Sequence, residues 1–248
     1  MNDHVNCIQW GKGIVKSIEV YQSLSSTNDF AKKRIKSGGD SGTVIWALNQ
    51  TQGKGRRGRR WDADHSSLTF SLIWRSPHNS IPTAITLYVG LGLVQQLETL
   101  VPGLRIKWPN DLWVGKKKLG GILTETMRQG DERWIILGMG LNINSIPNSK
   151  SSPRTSWYEV TGCLWARLSV LDQVLLGLER GVDLLQGNHD LTQLFRRYGN
   201  FVGNRITVYH GEQVFPAVAK AVLTDGSLLI EDARGLRAIV PDEISVRF

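Results

Sequence analysis

Gly53-Lys54-Gly55-Arg56-Arg57-Gly58-Arg59-Arg60 carries five cations and three glycines in eight residues, with no acid among them. Glycine lets a backbone turn sharply and approach a ligand closely. Guanidinium groups bind phosphate and carboxylate oxygens through paired hydrogen bonds. A solvated basic turn or a nucleic-acid patch needs no glycines at these intervals. The segment therefore reads as a loop built to close over a small anion. It is not a phosphate loop, because no Gly-Lys-Ser/Thr follows, and it does not open a helix as a dinucleotide fingerprint would.

Working outward, Ser26, Thr27 and Asn28 are capping residues for a helix with Phe30, Ala31 and Ile35 on its apolar side, ending at Gly38-Gly39. Residues 43–48 read as a strand entering the loop. Beyond it, Leu68, Phe70, Leu72 and Trp74 share one strand face. Leu87, Leu91, Val94, Leu97 and Val101 stripe a helix that Pro102-Gly103 stops. Strands follow over 104–108, 111–114, 121–126 and 134–141. Residues 145–156, rich in Ser, Pro and Asn, read as a loop. Leu164, Leu168, Leu171, Leu175, Leu178, Val182 and Leu185 step by four and three, the pattern of a core helix. From Phe201 the texture changes to short strands carrying Ile206, Val208, Val214, Val218, Val222, Leu228, Ile230, Ile239, Ile244 and Val246. They are separated by His210-Gly211, Asp225-Gly226 and Arg234-Gly235 turns. That predicts a main domain over 1–198 and a small barrel or sandwich over 199–248.

Composition narrows the function. Of the net charge of +8, five positive charges come from the loop, which favours a focused anion site over a general nucleic-acid surface. Cys7 and Cys163 lie far apart with no CxxC pair, as in a reducing cytosol. Residues 1–10 hold no signal-peptide apolar run. The most apolar stretch, 84–94, contains Gly90 and Gly92 and falls short of the about 18 residues a spanning helix needs, so it reads as a buried helix. A cytoplasmic protein without a membrane anchor is expected.

Three further clusters carry chemistry. In Lys107-Trp108-Pro109-Asn110-Asp111 a strand ends in a polar turn, where Lys107 can pair with phosphate and Asp111 can hold a Mg²⁺ water shell. In Lys116-Lys117-Lys118-Leu119-Gly120-Gly121 the lysines mark a hairpin tip, and Lys118, nearest the strand, is expected to point inward. In Gly138-Met139-Gly140-Leu141-Asn142 the glycines mark a close approach within a strand, and Asn142 offers a donor and an acceptor at its end.

Taken in order, Ser26-Thr27-Asn28, the basic loop, Lys107 to Asp111, Lys118-Leu119-Gly120-Gly121-Ile122-Leu123 and Gly138 to Asn142 resemble the biotin–protein ligases, also called biotin–[acetyl-CoA-carboxylase] ligases. The matching segments span about half of the chain. The resemblance implies an α+β fold, with a mixed central sheet flanked by helices of the class II synthetase and biotin ligase type. It also implies a small C-terminal SH3-like β-barrel. It implies biotin and ATP as substrates with Mg²⁺, formation of biotinyl-5′-AMP, and transfer of biotin to a lysine of a biotin carboxyl carrier protein. By the same resemblance Lys118, Arg56 and Asp111 are catalytic, with Asp111 also the metal position. Ser26, Thr27, Asn28, Gln50, Gly53, Lys54, Gly55, Arg56, Lys118 and Gly121 would bind biotin. Arg56, Arg57, Trp61, Lys107, Asn110, Lys118 and Asn142 would bind ATP. Ligases of this type can form homodimers through the central sheet.

Two departures stand out. Lys54 occupies a position where the family's loop usually has arginine, which keeps the charge and loses the fork geometry. The residues before Ser26 are too few for a helix-turn-helix domain, so the chain resembles the form that ligates without binding DNA. The rival readings are a lipoate or octanoyl transferase of the same superfamily, which lacks the Gly/Arg loop, and an inactive relative that stores biotinyl-AMP. A nucleic-acid-binding module is disfavoured by the balanced charge of the last fifty or so residues.

Overall fold

The structure, a computed structural model, describes residues 4–76, 83–145, 153–241 and 244–247. The middle of the Ser/Pro/Asn-rich segment, 146–152, lies outside them. In chain order the elements are β1 (His4–Lys12), β2 (Val15–Tyr21), α1 (Thr27–Lys36), β3 (Thr43–Ala47), β4 (Gly53–Lys54), β5 (Arg60–Trp61), β6 (Ser67–Arg75) and α2 (Ile85–Leu97). Then come β7 (Leu104–Lys107), β8 (Asp111–Val114), β9 (Lys117–Gln129), β10 (Glu132–Asn142), α3 (Trp157–Thr161), α4 (Arg167–Gln186) and α5 (Leu191–Tyr198). The C-terminal strands are β11 (Arg205–His210), β12 (Gln213–Val222), β13 (Leu228–Asp232), β14 (Gly235–Ile239) and β15 (Ile244–Arg247).

Eight strands form one mixed sheet in the order β1-β2-β3-β6-β10-β9-β8-β7. β2 and β3 are parallel, with α1 as the crossover, and the other neighbours are antiparallel. Both faces are covered, and the alternation of side chains assigns each residue to one of them. Val44, Trp46, Leu68, Phe70, Leu72, Trp74, Ile135 and Leu137 join the large core beneath α2 and α4. Ile45, Ala47, Ile73, Trp134 and Ile136 pack on the other side with Ala31 and Ile35 of α1.

The expected elements are present with a few shifts. α2 is buried on every side, the pattern of a central helix rather than an amphipathic one. α4 is the core helix foreseen from its leucines, but its buried stripe starts at Val170 and Leu171. Leu164, 76% exposed, precedes the helix, and Leu168 in its first turn is 49% exposed. β1, β2, α3 and α5 were not foreseen. The signal for α5 was present, since Asp190 caps it by accepting from Thr192 N and Gln193 N, and Leu191, Phe195 and Tyr198 fall on one buried face.

The last five strands form an antiparallel sheet in the order β14-β13-β12-β11-β15, consistent with a small barrel. Its inward residues Ile206, Val208, Ala219, Leu228 and Ile230 belong to the same apolar cluster as α2 and β7. Trp108, 1% exposed, anchors this junction by donating its indole N–H to Gly226 O at 2.9 Å.

Candidate functional site

The site begins with small residues on the α1 face of the central strands. Cross-strand registers align Ala47, Thr69, Gly140, Gly121 and Asp111 in one row over five strands. The next row aligns Ser71, Gly138 and Leu123. Where neighbouring strands carry large side chains, these rows leave room. A side chain on Gly138 would begin 2.1 Å from Asn28 Oδ1, and one on Gly140 would begin 2.4 Å from Trp61 Cε2. The glycine pair expected to allow a close approach lines the cavity described next and also leaves room for Asn28 and Trp61, which form part of the site themselves.

The result is a cavity of about 980 Å³. Its lining includes Ser26, Thr27, Asn28, Gln50, Lys54, Gly55, Arg56, Arg57, Trp61, Lys107, Asn110, Asp111, Lys118 and Gly121. These come from the capping segment, the basic loop, the polar turn and the lysine hairpin, which are widely separated in sequence. Of the expected site residues, Gly53 and Asn142 do not line it. A side chain on Gly53 would meet Trp61 O at 2.4 Å, so this glycine lets β4 pair tightly with β5. Asn142 is 2% exposed and donates to Thr155 O at 3.0 Å, which fixes the segment after the strand.

Part of the lining is a polar network of uncharged side chains that ends on the Glu125 carboxylate. Gln50 Oε1 accepts from Thr27 N at 2.9 Å and from Thr27 Oγ1 at 3.1 Å. Ser71, fully buried, donates to Asn28 Oδ1 at 2.5 Å and lies 2.7 Å from Thr27 Oγ1. Asn28 Nδ2 then donates to Glu125 Oε2 at 2.8 Å. Sequence reasoning did not reach Ser71, although a serine amid the apolar alternation of β6 was the available signal.

Over the cavity as a whole the charge is one-sided. Among the described lining residues nine are cationic (Lys54, Arg56, Arg57, Arg59, Arg60, Lys107, Lys116, Lys118, Arg154) and two acidic (Asp62, Asp111). Lys118 points inward as expected, with Nζ 2.6 Å from Asp111 Oδ1 and 5.6 Å from the Trp61 ring centroid. Lys107 is 8% exposed and its ammonium sits 4.0 Å from the Trp113 ring centroid, a cation–π contact that offsets part of its desolvation. Asn110 donates to Ile122 O at 2.7 Å, which holds the polar turn against β9.

The basic loop is a small hairpin, with a 3-10 turn over Arg56–Gly58 between β4 and β5. Gly58 sits at φ +69°, a left-handed conformation that glycine adopts without strain. Ties of the hairpin and its exit to the body include those of Lys54, Arg56 and Asp62. Lys54 Nζ meets Asp29 Oδ2 at 2.6 Å, and this bond raises the lysine pKa. Arg56 donates to Asn110 Oδ1 at 3.3 Å and to Pro241 O. Asp62 Oδ2 stands 3.6 Å from Arg154 Nη1. The contact of Lys54 is a single-point one, which an ammonium makes as well as a guanidinium.

No group of three or more metal-ligating side chains occurs among the described residues. The two lining carboxylates, Asp62 and Asp111, both face cations. Such a donor set fits a metal that arrives on phosphates better than one held by the protein alone. Among the described residues no helix is long and apolar enough to cross a membrane.

Comparison with known proteins bears on this geometry. Residues 20–142 match the model of the biotin/lipoate A/B protein ligase family. The bifunctional ligase/repressor BirA of Bacillus subtilis is 30% identical over 235 residues, covering 90% of this chain and 72% of its own. The biotin–[acetyl-CoA-carboxylase] ligase of Mycobacterium tuberculosis is 28% identical, with 87% and 84% covered. Among solved structures, the biotin protein ligase from Aquifex aeolicus in complex with biotin and ATP superposes with a TM-score of 0.78. It is 27% identical, and the match covers 93% of this chain and 98% of that one.

Proposed function

This chain belongs to the biotin/lipoate A/B protein ligase family, and from that premise we propose that it activates biotin with ATP and transfers it to a lysine of a carboxylase carrier domain. The observation that carries this reading is that Arg56, Lys118 and the Thr27–Gln50 network line one cavity. A buried ureido ring needs donors and acceptors, which Ser26, Thr27 and Gln50 offer. A carboxylate and a polyphosphate are both anions, so their approach requires fixed positive charge.

In the first step a biotin carboxylate oxygen attacks the α-phosphorus of ATP, and pyrophosphate departs with the electron pair of the broken P–O bond. Arg56, Arg57, Lys107 and Lys118 hold the phosphate oxygens. Asp111 would be the residue to hold a Mg²⁺ brought in on the nucleotide, and that ion would neutralise phosphate charge. The indole of Trp61, whose N–H has no partner among the described residues, lies beside the base. In the second step a neutral acceptor amine attacks the acyl carbon and AMP leaves. Asp111 orients that amine and takes its proton. An acyl-adenylate hydrolyses in water, so the basic hairpin closes over it.

In this reading residues 1–198 form the catalytic unit and 199–248 the appended barrel. The test is to mix the protein with ATP, Mg²⁺, biotin and an apo carrier domain and weigh the carrier. One added biotin is expected. Lipoate transferred in preference to biotin would overturn the substrate assignment.

A further inference from the structure

We propose that Arg154 is a positioning residue for the nucleotide half of the site, holding the Asp62 carboxylate so that it does not repel polyphosphate. The inference rests on the adenylate-forming reading of the cavity. Arg154 lines that cavity with a side chain only 14% exposed. Its backbone lies on the strand edge of Lys118, to which it forms a parallel bridge. Lys118 N donates to Pro153 O at 3.0 Å, and Thr155 N donates to Lys118 O at 2.9 Å. The guanidinium of Arg154 reaches Asp62, the residue after Trp61.

One residue thus spans from the inward lysine to the exit of the basic hairpin. The charges give the arrangement a direction. Asp62 is 59% exposed and also faces Arg60 Nε at 3.4 Å, whereas Arg154 is the buried member of its pair. Losing Arg154 frees a carboxylate that repels polyphosphate. Losing Asp62 frees a guanidinium that attracts it.

The two single variants must therefore move ATP binding in opposite directions, which a merely structural pair would not do. The experiment compares the full-length protein with Arg154→Ala, Arg154→Lys, Asp62→Ala and the double alanine variant. The readouts are KM for ATP in pyrophosphate release, calorimetric affinity for a non-hydrolysable ATP analogue, and biotin affinity. Arg154→Ala is expected to raise KM and weaken analogue binding about fivefold with biotin affinity unchanged. Arg154→Lys should fall between it and the wild type. Asp62→Ala should leave analogue binding equal or tighter, and the double variant should return toward the wild type. Weakening of ATP and biotin alike by Arg154→Ala, or the same loss from Asp62→Ala, would overturn the proposal, as would no change. If Arg154→Ala does not fold, Asp62→Ala and Arg154→Lys decide it. If the wild type releases no pyrophosphate, the ligase reading fails, while analogue binding still decides the role of Arg154.

Discussion

Lys118 Nζ stands 2.6 Å from Asp111 Oδ1, and both atoms lie 3.3 Å from where a side chain on Gly121 would begin. The pair crosses from β9 to β8 at the row of small residues that floors the site. The ammonium is held by a partner that phosphate can replace, so its position is set before substrate arrives. Lys118→Ala is expected to slow adenylate formation by about 10²-fold or more, measured as pyrophosphate release. Asp111→Asn keeps the lysine charge and should chiefly slow transfer to the carrier. Equal losses in both half-reactions for both variants would contradict this division.

Arg56 joins the hairpin tip to Asn110 and to Pro241 O of the C-terminal segment. Arg56→Gly should loosen the tip and release biotinyl-AMP about tenfold faster or more. Chasing labelled intermediate with unlabelled biotin and ATP measures this. Retention equal to the wild type would remove Arg56 from that role. Protection of residues 53–60 from protease by biotin plus ATP is the companion expectation.

Gly140 has no room for a methyl group, because Trp61 occupies that place. Gly140→Ala must push the indole away, and a ring cannot bend aside as a flexible chain end would. KM for ATP is expected to rise about tenfold while biotin affinity holds. An unchanged KM would mean that Trp61 does not contact nucleotide.

Acid stability should depend on Glu19, far from the cavity. Burial pushes its carboxyl up, but hydrogen bonds from Arg34 and Tyr21 outweigh that and leave it below the ordinary range. A carboxyl depressed in the folded state contributes stability above its unfolded pKa and loses it as the pH falls through the folded one. Glu19→Gln should lower the melting temperature near neutral pH, and the gap should shrink below about pH 4. A gap that stays constant with pH would refute the linkage.

Much of the site was legible because its side chains sit in short local patterns. The glycine and arginine spacing of 53–60, the polar turn at 107–111 and the inward Lys118 each carry their chemistry in consecutive residues. Ser71, Trp113 and Arg154 were not legible in this way. Each is an ordinary residue whose importance comes from a neighbour distant in sequence: Asn28, Lys107 and Asp62. Asn142 illustrates the converse. Its place at a strand end pointed to nucleotide, yet it does not line the cavity and its Nδ2 donates to Thr155 O.

Periodicity and turn residues are local, so the chain alone determined α1, α2, α4 and most of the central strands, where the cations gather, and that a small antiparallel unit follows the last helix. The register between strands was decided only in three dimensions. Pairing Thr69 with Gly140, Gly140 with Gly121 and Gly121 with Asp111 is what stacks small residues into one hollow. A slip of one residue would turn every one of those side chains to the opposite face and fill the space. No local rule records that choice, because it is made by the burial of both faces of the sheet at once.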